Sequence, residues 1–352
     1  MLHQDMRYYV EREPMLLREV MEGFLENAKA LNSVDTAFDT IVIYATGSSA
    51  NAAYAAKPFL SKLLEVTVEI KEPSLALNYE KGYNEHSLYF AISQGGHSAS
   101  TLALIEDLQK EHLVFAITSD PESPIAKQAK HVLLLGMYEE MPFVTAGVAS
   151  TILFLWLSAL TLAQQRKQID SSKKAQYIEE IEAMIDELPK IIQVCDEWFA
   201  QTKDVLYGAN RFLCISYGAC YGSAREFETK YTETVRVPSA GFELEEFMHG
   251  PYIGIQSSDV VFVFDPNGAL SERTIKLTKF LKNHIGHVYY FSNQPIPQME
   301  GCSFHTFVNE YFSCILYNIL VHISSWNISR YKEIDLSRSS YPDFDEMMKS
   351  KI

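Results

Sequence analysis

Short uncharged runs rich in Val, Ile, Phe and Tyr alternate along this chain with longer segments whose apolar residues recur every three or four positions. In the first half the pattern predicts a helix from about Met15, a strand over 40–44 closing in the small-residue turn 45–49, and a helix after it. A strand over 88–93, the turn 94–98, a helix over 99–110 and strands near 114–118 and 132–135 follow. The second half repeats the theme, with a strand over 212–215, a turn and helix, a strand over 260–264 and a helix near 270–282. Strands over 287–291 and 304–308 complete it. Each half closes with an uncharged apolar helix, over 142–163 and 311–326. Between the halves, 171–202 is polar and helical in period, with Ile178, Ile181, Ile185, Leu188 and Ile192 on one stripe and Pro189 as the point of a kink or division. The expected organisation is a first α/β domain with its N-terminal helix over 1–170, linking helices over 171–205, a second α/β domain over 206–334 and a tail over 335–352.

Continuous apolar strands separated by helices imply parallel sheets covered on both faces, whose ligands gather at the carboxyl ends of the strands. Composition agrees: 352 residues, 47% of them apolar and including 20 Phe and 20 Tyr, supply large cores and exclude a disordered chain. Forty-five acids against thirty bases give a net charge of −15, with no basic patch, which excludes nucleic acid and an anionic membrane surface as partners. The run 142–163 is long enough to span a bilayer. Its Thr145, Ser150, Thr151, Ser158 and Thr161, and the matching helix of the second half, instead predict a buried core helix. No leader pattern opens the chain, and five cysteines without a CxxC pair read as reduced packing thiols, so a cytoplasmic protein without metal or cofactor is expected.

Two turns carry candidate chemistry, Ala45-Thr46-Gly47-Ser48-Ser49 and Ser93-Gln94-Gly95-Gly96-His97-Ser98. Each follows a strand and opens a helix. Glycine admits an anion close to the backbone, Ser and Gln donate hydrogen bonds to its oxygens, and the positive helix end attracts it. Either turn alone is equally an ordinary tight turn with an N-cap. The pair together favours phosphate. In the second half Glu226, Lys230 and Glu233 stand at i, i+4 and i+7, one face of a helix. Alone that is also a common solvated salt-bridge face; in a site it is a pair of carboxylates around a cation, suited to moving a proton between adjacent carbons.

These residues resemble the sugar-isomerase (SIS) domain family. The likeness is greatest to the tandem-SIS isomerase half of glucosamine-6-phosphate synthase and to the fructosamine-6-phosphate deglycases. Residues 45–49 are similar to the family's A-C-G-T-S turn, residues 93–101 to S-Q-S-G-E-T-A-D-T, and Gly147-Val148-Ala149-Ser150-Thr151 reproduces G-V-A-S-T. The resemblance implies two three-layer α/β/α SIS domains with mainly parallel, flavodoxin- or Rossmann-like sheets. It implies that Ser48, Ser49, Ser93, Gln94 and Ser98 hold a sugar phosphate, with Val148 and Ser150 lining the same pocket. Gly95 stands where the family has a phosphate-contacting Ser, and His97 where it has Glu. Residues 224–233 and 246–251 are similar to A-L-E-G-A-L-K-L-K-E and E-L-K-H-G-P without a gap. The functional positions then fall on Glu226, Lys230, Glu233 and His249, the last implied to assist ring opening, from a neighbouring subunit where relatives share sites across a dimer.

Two departures shape the functional expectation. The pair of domains begins almost at Met1, without a preceding glutaminase half, so glutamine is not expected as the ammonia source. The family's tail Lys, in D-x-P-R-N-L-A-K, has no counterpart within 335–342; Lys349 or Lys351 would have to replace it. The first expectation is thus a fructosamine-6-phosphate deglycase, acting on a 6-phosphorylated Amadori product. The alternatives are a glucosamine-6-phosphate isomerase/deaminase, a glutaminase-less aminotransferase-like protein, or, in a different class, a non-catalytic phosphosugar sensor. A homodimer or larger homo-oligomer with shared sites is expected.

Overall fold

The computed structural model describes residues 4–352 apart from 81, 298, 300 and 339. In the first half the chain forms α1 (Met6–Asn27), β1 (Thr40–Tyr44), α2 (Gly47–Leu64), β2 (Thr67–Lys71), α3 (Pro73–Tyr79), β3 (Ser87–Ile92) and α4 (Ala99–Leu108). It continues through β4 (Val114–Thr118), α5 (Pro124–Gln128), β5 (His131–Leu134), α6 (Ala146–Gln165) and α7 (Ser171–Gly208). The second half holds β6 (Phe212–Ser216), α8 (Cys220–Lys230), β7 (Ser239–Glu243), α9 (Leu244–Met248), β8 (Val260–Asp265) and α10 (Ser271–Lys282). It ends in β9 (His287–Ser292), β10 (Gly301–Ser303), α11 (Cys314–Tyr331) and α12 (Phe344–Met348).

Two compact units result. The first-sheet unit comprises Met15–Glu140, Ala146–Tyr177 and Arg338–Ile352; the second-sheet unit comprises Met1–Pro14, Met141–Thr145 and Ile178–Ser337. Each holds a five-stranded, all-parallel sheet, in the orders β2-β1-β3-β4-β5 and β10-β9-β8-β6-β7. Counted from the first strand of each half, both are the flavodoxin-like order 2-1-3-4-5, whose direction of winding reverses between the first and third strands. The repeat read from the hydrophobic pattern is therefore a repeat of topology.

Both faces of each sheet are covered. In β8, Val261 and Val263 join Leu213, Ile215, Phe247, Leu277 and Leu281 on one face. Phe262 lies on the other, 5.3 Å ring to ring from Phe291, and Trp198 of α7 packs edge-on at 4.8 Å from that same Phe291. Helix α6 is long and apolar enough to cross a membrane, but it is almost wholly buried in the protein, as its polar positions implied.

Several local expectations change. Helix α1 begins at Met6, ahead of Pro14, because Met6, Tyr9 and Val10 give the first turns a buried stripe. Helix α7 runs unbroken through Pro189. No strand forms over 304–308: Phe304 is buried, but His305 adopts φ 50°, the left-handed region, which takes the backbone out of extension, and Phe307 is left exposed. The last strand is instead the three-residue β10. Helix α11 starts and ends later than its expected 311–326.

Glycine is required at Gly241. A Cβ there would lie 2.0 Å from the Ala224 carbonyl oxygen, so β7 can pack this closely on α8 only without a side chain. Gly241→Ala must push backbone against backbone and is expected to lower the unfolding free energy by about 1–3 kcal/mol, read from urea titration. An unchanged midpoint would show that β7 can retreat.

Candidate active site

In the first-sheet unit, β1 and β3 are neighbours, with Tyr44 opposite Ala91, so the turns that follow them emerge side by side at the switch point of the sheet. The first turn enters α2 through Gly47 at φ 55°; the second enters α4 through Ser98, whose hydroxyl caps Thr101 N at 3.4 Å and accepts from Thr101 Oγ1 at 2.9 Å. Gly96, at φ 70°, fits because a Cβ would fall 2.1 Å from Ser123 Oγ. Ser93 and Gln94 are buried, Ser48, Ser49 and Ser98 half-buried. Ser93 Oγ accepts from Ser98 N at 3.4 Å, and the Gln94 amide nitrogen has only the Met137 sulfur, 3.9 Å away, among the described residues.

Helix α6 packs behind these turns. Gly147 lies so near Gln94 that a Cβ would sit 1.5 Å from its amide nitrogen. Val148 and Ser150 follow, both buried, and the Ser150 hydroxyl has no hydrogen-bond partner among the described residues. The N-terminus of α6 already holds a carboxylate, since Gly147 N donates to Glu139 Oε2 at 2.9 Å. That carboxylate sets the end of α6 apart from the ends of α2 and α4, whose turns carry Ser48, Ser49, Ser93 and Ser98.

The corresponding switch point of the second-sheet unit is closed. Asp265, at the end of β8, is fully buried and accepts from Tyr217 OH at 2.7 Å, Asn267 N at 2.8 Å, Ser271 Oγ at 2.6 Å and Tyr290 OH. Four donors saturate its two oxygens. Burial, with the charge of Asp265 second, pushes both tyrosine hydroxyls well above their ordinary range.

This second unit carries the acid and base residues on α8, which is pinned to α11 by Ser223 Oγ on Cys314 O at 2.9 Å and Tyr231 OH on Ser324 Oγ at 2.8 Å. The expected single helical face is modified: α8 ends at Lys230 and passes into one turn of π-helix over Tyr231–Val235 that carries Glu233. Such turns are rare and concentrate at functional sites. Lys230 Nζ bridges Glu226 Oε1 at 3.2 Å and Glu233 Oε2 at 3.1 Å. Glu226 and Lys230 are fully buried, whereas Glu233 keeps 40% of its side-chain surface exposed. Burial works to lower the Lys230 pKa, but the two carboxylates override it and the ammonium is held above its ordinary value.

One member of this cluster was not anticipated. His322 of α11 is fully buried, its Nε2 3.6 Å from Glu226 Oε1, beyond hydrogen-bonding distance. Burial lowers its pKa, with the Lys230 charge acting the same way and Glu226 opposing. A lone His inside an apolar helical run was the available signal. Because the unfolded chain takes up a proton near pH 6.5 and the folded chain resists it, stability attributable to His322 is intact above that pH and falls as pH drops below it, by up to about 1.4 kcal/mol per pH unit. His322→Leu is expected to flatten the acid limb of stability against pH; a limb of unchanged slope would assign that loss to other groups.

His249 caps α9, exposed, its Nδ1 2.7 Å from Glu245 O, with no hydrogen bond to Nε2 among the described residues. The cysteines behave as packing residues: Cys195, Cys214, Cys220 and Cys314 are buried, and burial raises their thiols, that of half-buried Cys302 to about 11. None is a ready thiolate.

Two doubly wound parallel sheets of this order in one chain form a fold shared with several solved structures. Residues 38–161 match the SIS domain family. Glutamine–fructose-6-phosphate aminotransferase [isomerizing] of Bacteroides thetaiotaomicron is 27% identical over 274 residues, covering 74% of this chain and 43% of that protein. The chain spans about half the length of the curated relatives it matches. The C-terminal domain of glucosamine-fructose-6-phosphate aminotransferase from Francisella tularensis superposes with a TM-score of 0.85 at 18% identity, covering 95% of this chain and 98% of that one. Glucosamine-6-phosphate deaminase from Thermotoga maritima gives 0.70 at 17%, covering 93% and 97%.

Proposed function

We propose that this protein is a cytoplasmic enzyme of sugar-isomerase type that cleaves a 6-phosphorylated Amadori product, a fructosamine-6-phosphate deglycase. The observation carrying an enzyme rather than a sensor is the Lys230 ammonium clasped between buried Glu226 and half-exposed Glu233, since phosphate recognition alone has no use for such a cluster. In this reading Ser48, Ser49, Ser93, Gln94, Ser98 and Ser150 receive the phosphate, with Val148 beside it. Glu233 takes the proton from C1 of the open-chain ketosamine while the C2 oxygen gains one, and the resulting enaminol is reprotonated at C2. Water then adds at C1, the C–N bond breaks, and the amine leaves with a proton, giving an aldose 6-phosphate. Glu226 holds Lys230, whose ammonium in turn positions Glu233; His249 serves ring opening, across a dimer of shared sites.

The likeness in fold to a glucosamine-6-phosphate deaminase favours a second reading, hydrolytic or isomerising release of ammonia from glucosamine 6-phosphate. A coupled assay over 6-phosphorylated amino sugars and Amadori products, scoring amine, ammonia and ketose phosphate separately, tests both. A free amino acid with hexose 6-phosphate supports the deglycase, ammonia the second reading, and tight binding without turnover a sensor. Ser93→Ala is expected to weaken phosphosugar binding by about 1–3 kcal/mol through one lost donor; unaltered binding would remove this turn from the phosphate seat.

A further inference from the structure

We infer that Lys351, delivered by a strap formed from residues 350–352, is the cation of the anion seat and selects phosphorylated over neutral sugars. The inference rests on the reading of the first-sheet turns as a phosphate seat and adds a residue to it. After α12, Lys349 adopts φ 48°, and the chain turns to run extended beside residues 97–99. Ala99 N donates to Ser350 O at 3.1 Å, Ile352 N donates to His97 O at 3.0 Å, and His97 Nδ1 lies 2.6 Å from Ile352 O. These bonds set Lys351 opposite Ser98 in an antiparallel bridge. The bonds belong to the flanking residues, so Ser98 and Lys351 form the non-hydrogen-bonded kind of pair, whose side chains leave the ribbon on one face with Cβ atoms about 4.5–5.5 Å apart.

Ser98 is the residue that opens α4. Its strap partner therefore carries an ammonium on a flexible four-carbon stem to the rim of the same turn. Charge gives the reason. The proposed phosphate contacts, Ser48, Ser49, Ser93, Gln94, Ser98 and Ser150, are all neutral. A helix end supplies about half a positive charge, whereas a phosphate monoester carries about −1.5 to −2 at neutral pH. The chain as a whole is at −15 and adds no attraction. A cation at the rim matches the dianion. Lys349 is not equivalent, because it caps α12 and lies outside the paired segment.

The test is calorimetric titration of the full chain with fructose 6-phosphate, inorganic phosphate and, as neutral control, fructose. Lys351 is exposed, so Lys351→Met is expected to keep the wild-type melting temperature while the Kd for both phosphates rises about 10-fold or more and its salt dependence flattens. Lys351→Arg should stay within about threefold of wild type, as a retained charge requires. Ile352→Pro removes the amide that ties the strap to His97 and should weaken phosphate binding as Lys351→Met does. Phosphate Kd values within twofold of wild type in Lys351→Met overturn the inference while leaving the seat intact. A wild-type protein that binds fructose 6-phosphate no better than fructose overturns the seat itself, and Lys351 with it.

Discussion

Glu233→Gln is expected to lower turnover by about 10²–10⁴-fold while leaving the affinity for phosphosugar close to wild type. The substitution keeps the size of the side chain and an oxygen able to accept from Lys230 Nζ, now at 3.1 Å, but removes the base. Glu233 differs from its neighbours in being reachable: Glu226 is sealed in the protein, whereas Glu233 sits on the π-turn with 40% of its side chain open. Steady-state kinetics with the best substrate of the panel, together with calorimetry on the same variant, separate loss of kcat from loss of binding. Full activity would end the proton-transfer role of Glu233 for deglycase and deaminase alike.

Removing the inner carboxylate acts on a different quantity. Glu226→Gln takes away one of the carboxylates that hold the fully buried Lys230 ammonium, and breaking a buried ion pair from one side typically costs about 3–5 kcal/mol. The variant is expected to unfold at markedly lower urea and to lose substrate binding and rate together. Lys230→Met in the same background removes the stranded charge. The double variant is therefore expected to recover much of the stability, with an interaction energy of about 0.5–3 kcal/mol in the mutant cycle. Strict additivity would show that the two side chains are held independently despite their 3.2 Å separation.

The sequence made the central strands legible because they are buried on both sides and therefore uninterrupted: β1, β3, β4, β6, β8 and β9 all lie within a residue or two of where the apolar runs put them. The edges were not. Strand β2 reads Thr-Val-Glu-Ile-Lys and β7 reads Ser-Ala-Gly-Phe-Glu, half-buried segments whose polar residues interrupt any run. They are strands because a neighbour supplies hydrogen bonds, which no local pattern records. At the candidate site, Glu226, Lys230 and Glu233 were visible through their spacing, and the structure brings them together. The π-turn beneath Glu233 and His322 beside Glu226 were not visible, since one is a backbone choice made by packing against α11 and the other lies far off in the chain. Tail residues 350–352 carry no periodicity at all. Their place beside Ser98 is set by two backbone bonds and the His97 side chain on Ile352 O.

The closed switch point around Asp265 bears on stoichiometry. A chain that winds the same sheet twice offers, by topology, two seats for one kind of ligand. Asp265 forecloses the second seat from within, by putting a carboxylate and its four donors where an incoming anion would need both space and hydrogen bonds. Titration should therefore saturate at one phosphate per chain, with the second sheet contributing no silent reservoir.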